Sequence, residues 1–260
     1  MLNIIRADLY RIVRGKGFYI AIIIFLAYII MLTVSNGRGM EVVGIEANVQ
    51  DTAYTGMTAP FEMMKLFAFP MVYVILAFII FIAAADFSAK AAKNVLSVGI
   101  TRAKYYFAKL ILSCVFCVAI SMVSIIIPII IGTILNGFGG ALDMDFILRL
   151  AKPFSGQLFM FLAINCMGIF FVFVTKRRAA VIGAYLAFCM VTPAIIMLLY
   201  TLNDKLEFLL NYDIVGNMAL FSQIELMSST DIIRAFAIGG FYIIASIIGG
   251  IAIFKRSEIK

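Results

Sequence analysis

The sequence predicts an all-α, polytopic integral membrane protein with six transmembrane helices, cytoplasmic N- and C-termini and an amphipathic N-terminal interfacial helix. Three observations carry this expectation. The 260 residues are 64% hydrophobic and only 13% charged, with a mean hydropathy of +1.10. Several apolar runs reach membrane-spanning length, and in lipid the backbone of such runs must be paired internally, as it is in helices. Lys and Arg concentrate in alternate connections, as they do on the cytoplasmic side of a membrane. A water-soluble chain of this length has no way to hide so much apolar surface.

The elements follow in order. Over residues 1–17, Leu2, Ile5, Leu9 and Ile12 alternate with Asn3, Arg6, Arg11 and Arg14 and the pattern stops at Gly15 and Gly17. This is an amphipathic helix for the inner membrane surface. Its basic face, with Arg6, Arg11 and Arg14, suits anionic lipid and a cytoplasmic partner equally. The first span is expected at about 18–34, and with no small-residue cleavage site after it, it reads as an uncleaved anchor. An acidic external loop, 35–65, leads to the second span at about 66–85, with Pro70 near its outer end. The third span, about 110–135, carries Ser113, Ser121, Ser124 and Pro128. A Gly-rich external loop then runs through Asp143, Asp145, Arg149, Lys152 and Pro153 to the fourth span at about 154–174. A short turn with Lys176, Arg177 and Arg178 returns the chain to the fifth span, about 179–202, where Thr192 and Pro193 predict a kink or local break. The large external segment 203–234 contains two apolar fragments, 206–210 and 218–224, too short to span and so interfacial or re-entrant. The last span, about 235–254, ends in a basic tail.

This topology accounts for the charge. It puts 15 Lys/Arg and 3 Asp/Glu inside against 6 and 11 outside, which together make up the 21 and 14 of the chain. The formal +7 therefore reports membrane orientation and gives no reason to invoke nucleic acid.

Chemistry is limited by what is missing. With no His in the chain, the commonest general base and metal ligand are absent and a Ser-His-Asp triad cannot form. Cys114, Cys117, Cys166 and Cys189 all fall in apolar runs, where a thiolate is unfavourable, so the C-x-x-C of Cys114 and Cys117 reads as packing. No phosphate-binding loop is present, so an ATP-driven function requires the ATPase on another polypeptide. Ionisable residues are almost missing from the spans, which weakens an ion-coupled pathway. Asn165, Thr192 and the span-three serines read as helix–helix glue. Ala245, Ser246, Gly249 and Gly250 offer close-packing surfaces within one subunit or between two.

The most informative stretch is 86–109. At helical spacing Phe87, Ala91, Val95 and Val98 share one face while Lys90, Lys93, Asn94, Ser97 and Thr101 share the other, and Gly99 is a stop signal. Arg102 to Lys109 reads as an anchor for the inner end of the third span, its cations snorkelling to the headgroups.

Taken together, the basic N-terminal helix, six spans, the loop Asp86-Phe87 … Lys93-Asn94 … Gly99-Ile100-Thr101-Arg102 … Tyr105-Tyr106 … Lys109 and the long last external segment resemble the permease subunits of type-2 ABC exporters. The likeness is greatest to the small bacterial members that work with separate ATPases in bacteriocin, lantibiotic or multidrug export and immunity. The resemblance implies that 86–104 is a coupling helix seated on the ATPase. Its docking set would be Asp86, Phe87, Lys90, Lys93, Asn94, Val95, Leu96, Gly99, Thr101 and Arg102. Lys90, Lys93 and Arg102 would orient the contact, and Phe87, Val95 and Leu96 would anchor it. It also implies no cofactor in this chain, ATP and Mg on the partner ATPase, a second permease copy or sister permease, lipid contact, and a place in the bacterial cytoplasmic membrane. Two other classes stay open at this level: a non-transporting immunity or sensor protein that binds a peptide through its external loops, and an ion-coupled secondary transporter.

Overall fold

The computed structural model describes residues 1–38, 54–88, 92, 95, 97 and 99–256. Among them every regular element is helical. Six helices are long and apolar enough to cross a membrane: Lys16–Gly37, Pro70–Phe87, Arg102–Asn136, Met144–Thr175, Arg178–Leu202 and Ser229–Arg256. Large apolar side chains such as Ile23, Ile24, Val115, Ile130, Phe241 and Ile248 face outward, the surface expected of a bundle solvated by lipid.

Helix α1 (Leu2–Arg14) turns Ile5, Asp8 and Ile12 toward the bundle. Leu2 and Leu9, which the sequence pattern grouped with Ile5 and Ile12, are exposed instead. With Val13 they form a second apolar stripe at i, i+7 and i+11, so the helix presents one apolar face to protein and another outward. Helix α2 (Lys16–Gly37) buries Phe18, Phe25, Ile29 and Leu32.

The segment before the second span is more ordered than a loop. Helix α3 (Ala59–Phe67), with Pro60 in its first turn, buries Met63, Met64 and Phe67. Backbone bonds from Gly56 N to Gly137 O (3.1 Å) and Met57 N to Phe138 O (2.9 Å) tie its approach to the far end of the third span. After a two-residue break, α4 (Pro70–Ile79) continues through a π-turn at Ile80–Ala84 into α5 (Ala85–Ser88).

Helices α6 (Arg102–Asn136) and α7 (Met144–Thr175) are the long posts. Asp143 caps α7 by accepting the Phe146 amide at 2.9 Å, so the helix extends well ahead of the apolar span expected at 154. It takes in Arg149, Lys152 and Pro153, which the sequence reading placed in the preceding loop. Pro153 lies inside the helix, where a proline removes one backbone bond and bends the helix without having to end it. Met160, Ile164, Ile169 and Phe173 of α7 are fully buried, making it the central post of the bundle.

The fifth span comprises α8 (Arg178–Leu186), a π-turn at Ala187–Val191 and α9 (Thr192–Leu202). The predicted disturbance at Thr192 and Pro193 takes the form of that widened turn, next to the proline that lacks an amide donor. The apolar fragments that follow form a 3₁₀ turn (Asp204–Tyr212), α10 (Ile214–Leu220) and a second 3₁₀ turn (Phe221–Leu226). Ile214, Val215, Met218 and Phe221 are buried, and Phe221 lies where Gly156 of α7 has no Cβ to block it.

Helix α11 (Ser229–Arg256) starts with a reciprocal cap: Ser228 Oγ donates to Asp231 Oδ2 (2.7 Å) and accepts the Asp231 amide (3.2 Å). Its small residues pack within the subunit. Tyr106 OH donates to the Ser246 carbonyl at 3.0 Å over Gly250, while Gly249 meets Phe170. Ala245 is exposed.

Candidate functional site

The buried face of α1 carries one residue that does not belong in an apolar seam, Asp8. It is matched from α6 by Lys109, which is completely buried. Lys109 Nζ lies 2.6 Å from Asp8 Oδ2 and also contacts Asp86 Oδ2 of α5. Arg11, one turn along α1 from Asp8, meets the other Asp86 oxygen and stands 3.4 Å from Asp8 Oδ1. Tyr105 OH completes the group by donating to Asp86 Oδ2 at 2.6 Å. Two carboxylates and two cations thus form a neutral cluster drawn from α1, α5 and α6, with Asp8 and Lys109 101 positions apart in sequence.

Neutrality is what makes this burial tolerable. An isolated buried ion loses several kcal/mol of hydration, by order of magnitude, whereas a hydrogen-bonded cluster of opposite charges recovers most of it. Burial pushes the Asp8 carboxyl above the usual aspartate value, and the neighbouring Lys109 charge and hydrogen bond oppose that push. The Lys109 ammonium also sits 5.3 Å from the centre of the Tyr105 ring. Lys109 therefore does not snorkel to the headgroups as expected from sequence. Two carboxylates reach it in the interior, so it has no need to extend to water.

Beside the charged cluster lies an aromatic one. The Phe87 ring packs edge-on against Phe173 (5.4 Å between centroids) and Phe254 (6.3 Å). Phe173 and Phe254 are 4.7 Å apart, and Tyr105 contacts both. Arg102 Nη1 donates to the carbonyls of Phe254 (3.0 Å) and Lys255 (2.7 Å) at the C-terminal end of α11. Arg178 Nη2 approaches the Ala85 carbonyl at 3.5 Å. Helix α1 and the adjoining ends of α5, α6, α7 and α11 thus converge on one end of the bundle.

Of the residues expected to dock a partner, Asp86 and Phe87 point into this junction. Val95 is half-buried against the core and Ala92 is buried. Gly99 has φ +87°, the left-handed conformation that favours glycine and ends the segment. Thr101, in extended conformation, is the residue before α6 and accepts the Tyr105 amide through its carbonyl. Lys90, Lys93, Asn94 and Leu96 lie outside the described residues. On α1, Arg6 and Arg14 are exposed, with Arg14 stacked 4.4 Å over Tyr10, whereas Arg11 belongs to the cluster. Sequence reasoning missed Asp8, Tyr105 and Lys109 as site residues, together with the Phe173 and Phe254 rings. The available signal was Asp8 itself, a carboxylate at i+4 from Ile4 and i−4 from Ile12.

Among the described residues no group of His, Cys, Asp or Glu is placed to hold a metal ion. Six helices long and apolar enough to cross a membrane make this a multi-pass membrane protein. The sequence model of the ABC-2 family transporter proteins matches residues 4–194, from α1 into α9, and the chain belongs to that family. It is accordingly a permease component of an ABC transporter, in bacteria by family type, in a family that implies pairing with an ABC ATPase subunit. A comparison with the curated proteins gives no match.

Proposed function

We propose that this chain is the membrane half of an ATP-driven exporter and that work enters it through the segment 86–101 together with α1. ATP binding and hydrolysis on a separate subunit would move these elements, tilt the spans and open a path between two permease subunits for an amphipathic cargo such as an antimicrobial peptide, drug or lipid. The observation that carries this reading is the Asp8–Arg11–Asp86–Lys109 cluster. A load applied to either surface element is delivered through buried ion pairs to the ends of the second and third spans. Positive charge at this end supports a cytoplasmic location, where an ATPase works.

Phe87 and Asp86 hold the start of the segment to the spans, so contact with the ATPase would fall to residues further along it, among which the sequence puts Lys90 and Lys93 at helical spacing. The test is co-purification of the full chain with its ATPase in mild detergent, followed by nucleotide hydrolysis and transport in reconstituted vesicles. Lys93→Glu is expected to leave the permease folded while ATPase activity and transport become uncoupled. Unchanged coupling in Lys93→Glu and Lys90→Glu would remove the docking role. A stable peptide complex with no ATPase partner and no hydrolysis would favour the immunity or sensor class.

A further inference from the structure

At the end of the bundle where α1 meets the ion cluster, cations from three helix ends converge. Arg102, at the start of α6, is fixed by its two bonds to the Phe254 and Lys255 carbonyls, and it lies over the Phe254 ring at 5.9 Å. Those bonds bring it beside Lys255 and Arg256 at the close of α11. Lys176 follows α7 in a left-handed turn (φ 55°), three residues beyond the Phe173 ring that packs on Phe254. Partial burial lowers the Lys176 pKa from its usual value, and the Arg102 charge lowers it further, so the two cations sense one another.

The second observation is what runs away from this cationic corner. Along α11, Phe241, Ile244 and Ile248 are exposed. At steps of three and four residues they form one stripe that continues through Ala252 to Lys255. Val174, two residues before Lys176, and Ile253, two residues before Lys255, add exposed apolar surface. A polar anion alone would use the corner and ignore the stripe. An acidic protein surface in water would likewise have no use for a track that descends the membrane face of a helix.

We infer that Arg102, Lys176, Lys255 and Arg256 bind the phosphate of an anionic phospholipid whose acyl chain lies along Phe241, Ile244 and Ile248. Arg suits this ligand because its planar fork of N–H donors matches phosphate oxygens, and basic sites between helix ends are a recurrent means of holding anionic headgroups. The bound lipid would bridge α6, α7 and α11 where their ends meet.

The test uses the full chain in detergent, with no ATPase or nucleotide, so it is independent of the transport reading. Thermal unfolding is followed by circular dichroism in micelles doped with phosphatidylglycerol, with phosphatidylcholine of the same acyl chains, or with inorganic phosphate. Phosphatidylglycerol is expected to raise the unfolding temperature above the other two conditions. Lys176→Gln/Lys255→Gln should lose that difference, leaving Arg102 and its carbonyl bonds in place. Lys65→Gln, at the opposite end, should keep it. Equal stabilisation by phosphatidylcholine or by inorganic phosphate, or an undiminished response in the double variant, would overturn the proposal.

Discussion

Lys109 Nζ meets Asp8 Oδ2 at 2.6 Å in the interior of the bundle, across 101 residues of chain. The contact fixes helix α1 to the end of the third span that begins at Arg102. Because the same ammonium touches Asp86, the helix and the segment after the second span are joined through one atom. A permease that must transmit force from a surface element to its spans needs a stiff connection of this kind, and a buried ion cluster is stiff because any displacement exposes unpaired charge to low dielectric.

Replacing Lys109 by Met tests the connection directly. The change keeps much of the volume but leaves Asp8 and Asp86 with only Arg11 between them. Breaking a buried pair in this way costs about 3–5 kcal/mol. We expect a large drop in the thermal unfolding temperature of the detergent-solubilised protein, and a substantial recovery in Lys109→Met/Asp86→Asn, where one of the stranded charges is also removed. A double variant no more stable than Lys109→Met alone would show that the cluster does not act as a unit.

Tyr105 and Tyr106 are neighbours with different tasks. Tyr105 OH donates to a carboxylate, whereas Tyr106 OH donates to the neutral Ser246 carbonyl. Hydrogen bonds to charged groups contribute about 1.5–3 kcal/mol and neutral ones about 0.5–1.5 kcal/mol. Tyr105→Phe is therefore expected to destabilise more than Tyr106→Phe in the same unfolding measurement. The reverse order would mean that Arg11 and Lys109 satisfy Asp86 without the phenol.

The helical architecture was legible in the sequence because lipid demands long apolar runs with internally paired backbones, and those runs are visible one at a time. The break near Pro193 was legible for a similar local reason, the missing amide. What escaped were facts that need two distant segments. Lys109 reads as a snorkelling anchor until Asp8 is known to face it. Nothing in the sequence shows that the Phe87 ring packs on Phe173 and Phe254. The early start of α7 was hidden because Arg149, Lys152 and Pro153 lower the hydropathy of a turn that Asp143 nevertheless caps. Helix α3 was hidden because its stability comes from Met63, Met64 and Phe67 packing inward and from Gln157, which donates to the Met64 carbonyl at 2.8 Å.

Glycines of α11 divide by what they face. A Cβ on Gly250 would stand 2.5–2.7 Å from the Tyr106 ring and hydroxyl, on the side where Tyr106 bonds Ser246. Gly240 would meet no described atom within 4 Å. Gly250→Ala should thus cost about 1–3 kcal/mol through overpacking, while Gly240→Ala should be neutral or slightly stabilising from helix propensity. Equal stability of the two variants would place Tyr106 away from α11 in the membrane.

Asp213 offers a test by pH. It caps α10 by accepting the Val215 amide at 3.1 Å and the Gly216 amide at 2.9 Å. Burial nevertheless raises its pKa above the usual 3.8, with the two amides pulling the other way. A carboxyl whose pKa is higher in the folded state takes up its proton more readily there than in the unfolded chain. Its stabilising contribution is fully present below 3.8 and is lost as pH rises through the raised value, so at neutral pH the ionised form carries a net cost. Asn caps a helix about as well as Asp and has no charge to desolvate. Asp213→Asn is therefore expected to leave the unfolding temperature unchanged or raise it slightly at pH 7. It should also remove Asp213's share of the wild-type gain on acidification toward pH 4. A marked loss of stability at pH 7 would mean that the amide bonds to the carboxylate outweigh its burial, and that Asp213 is ionised at little cost beneath the 3₁₀ turns.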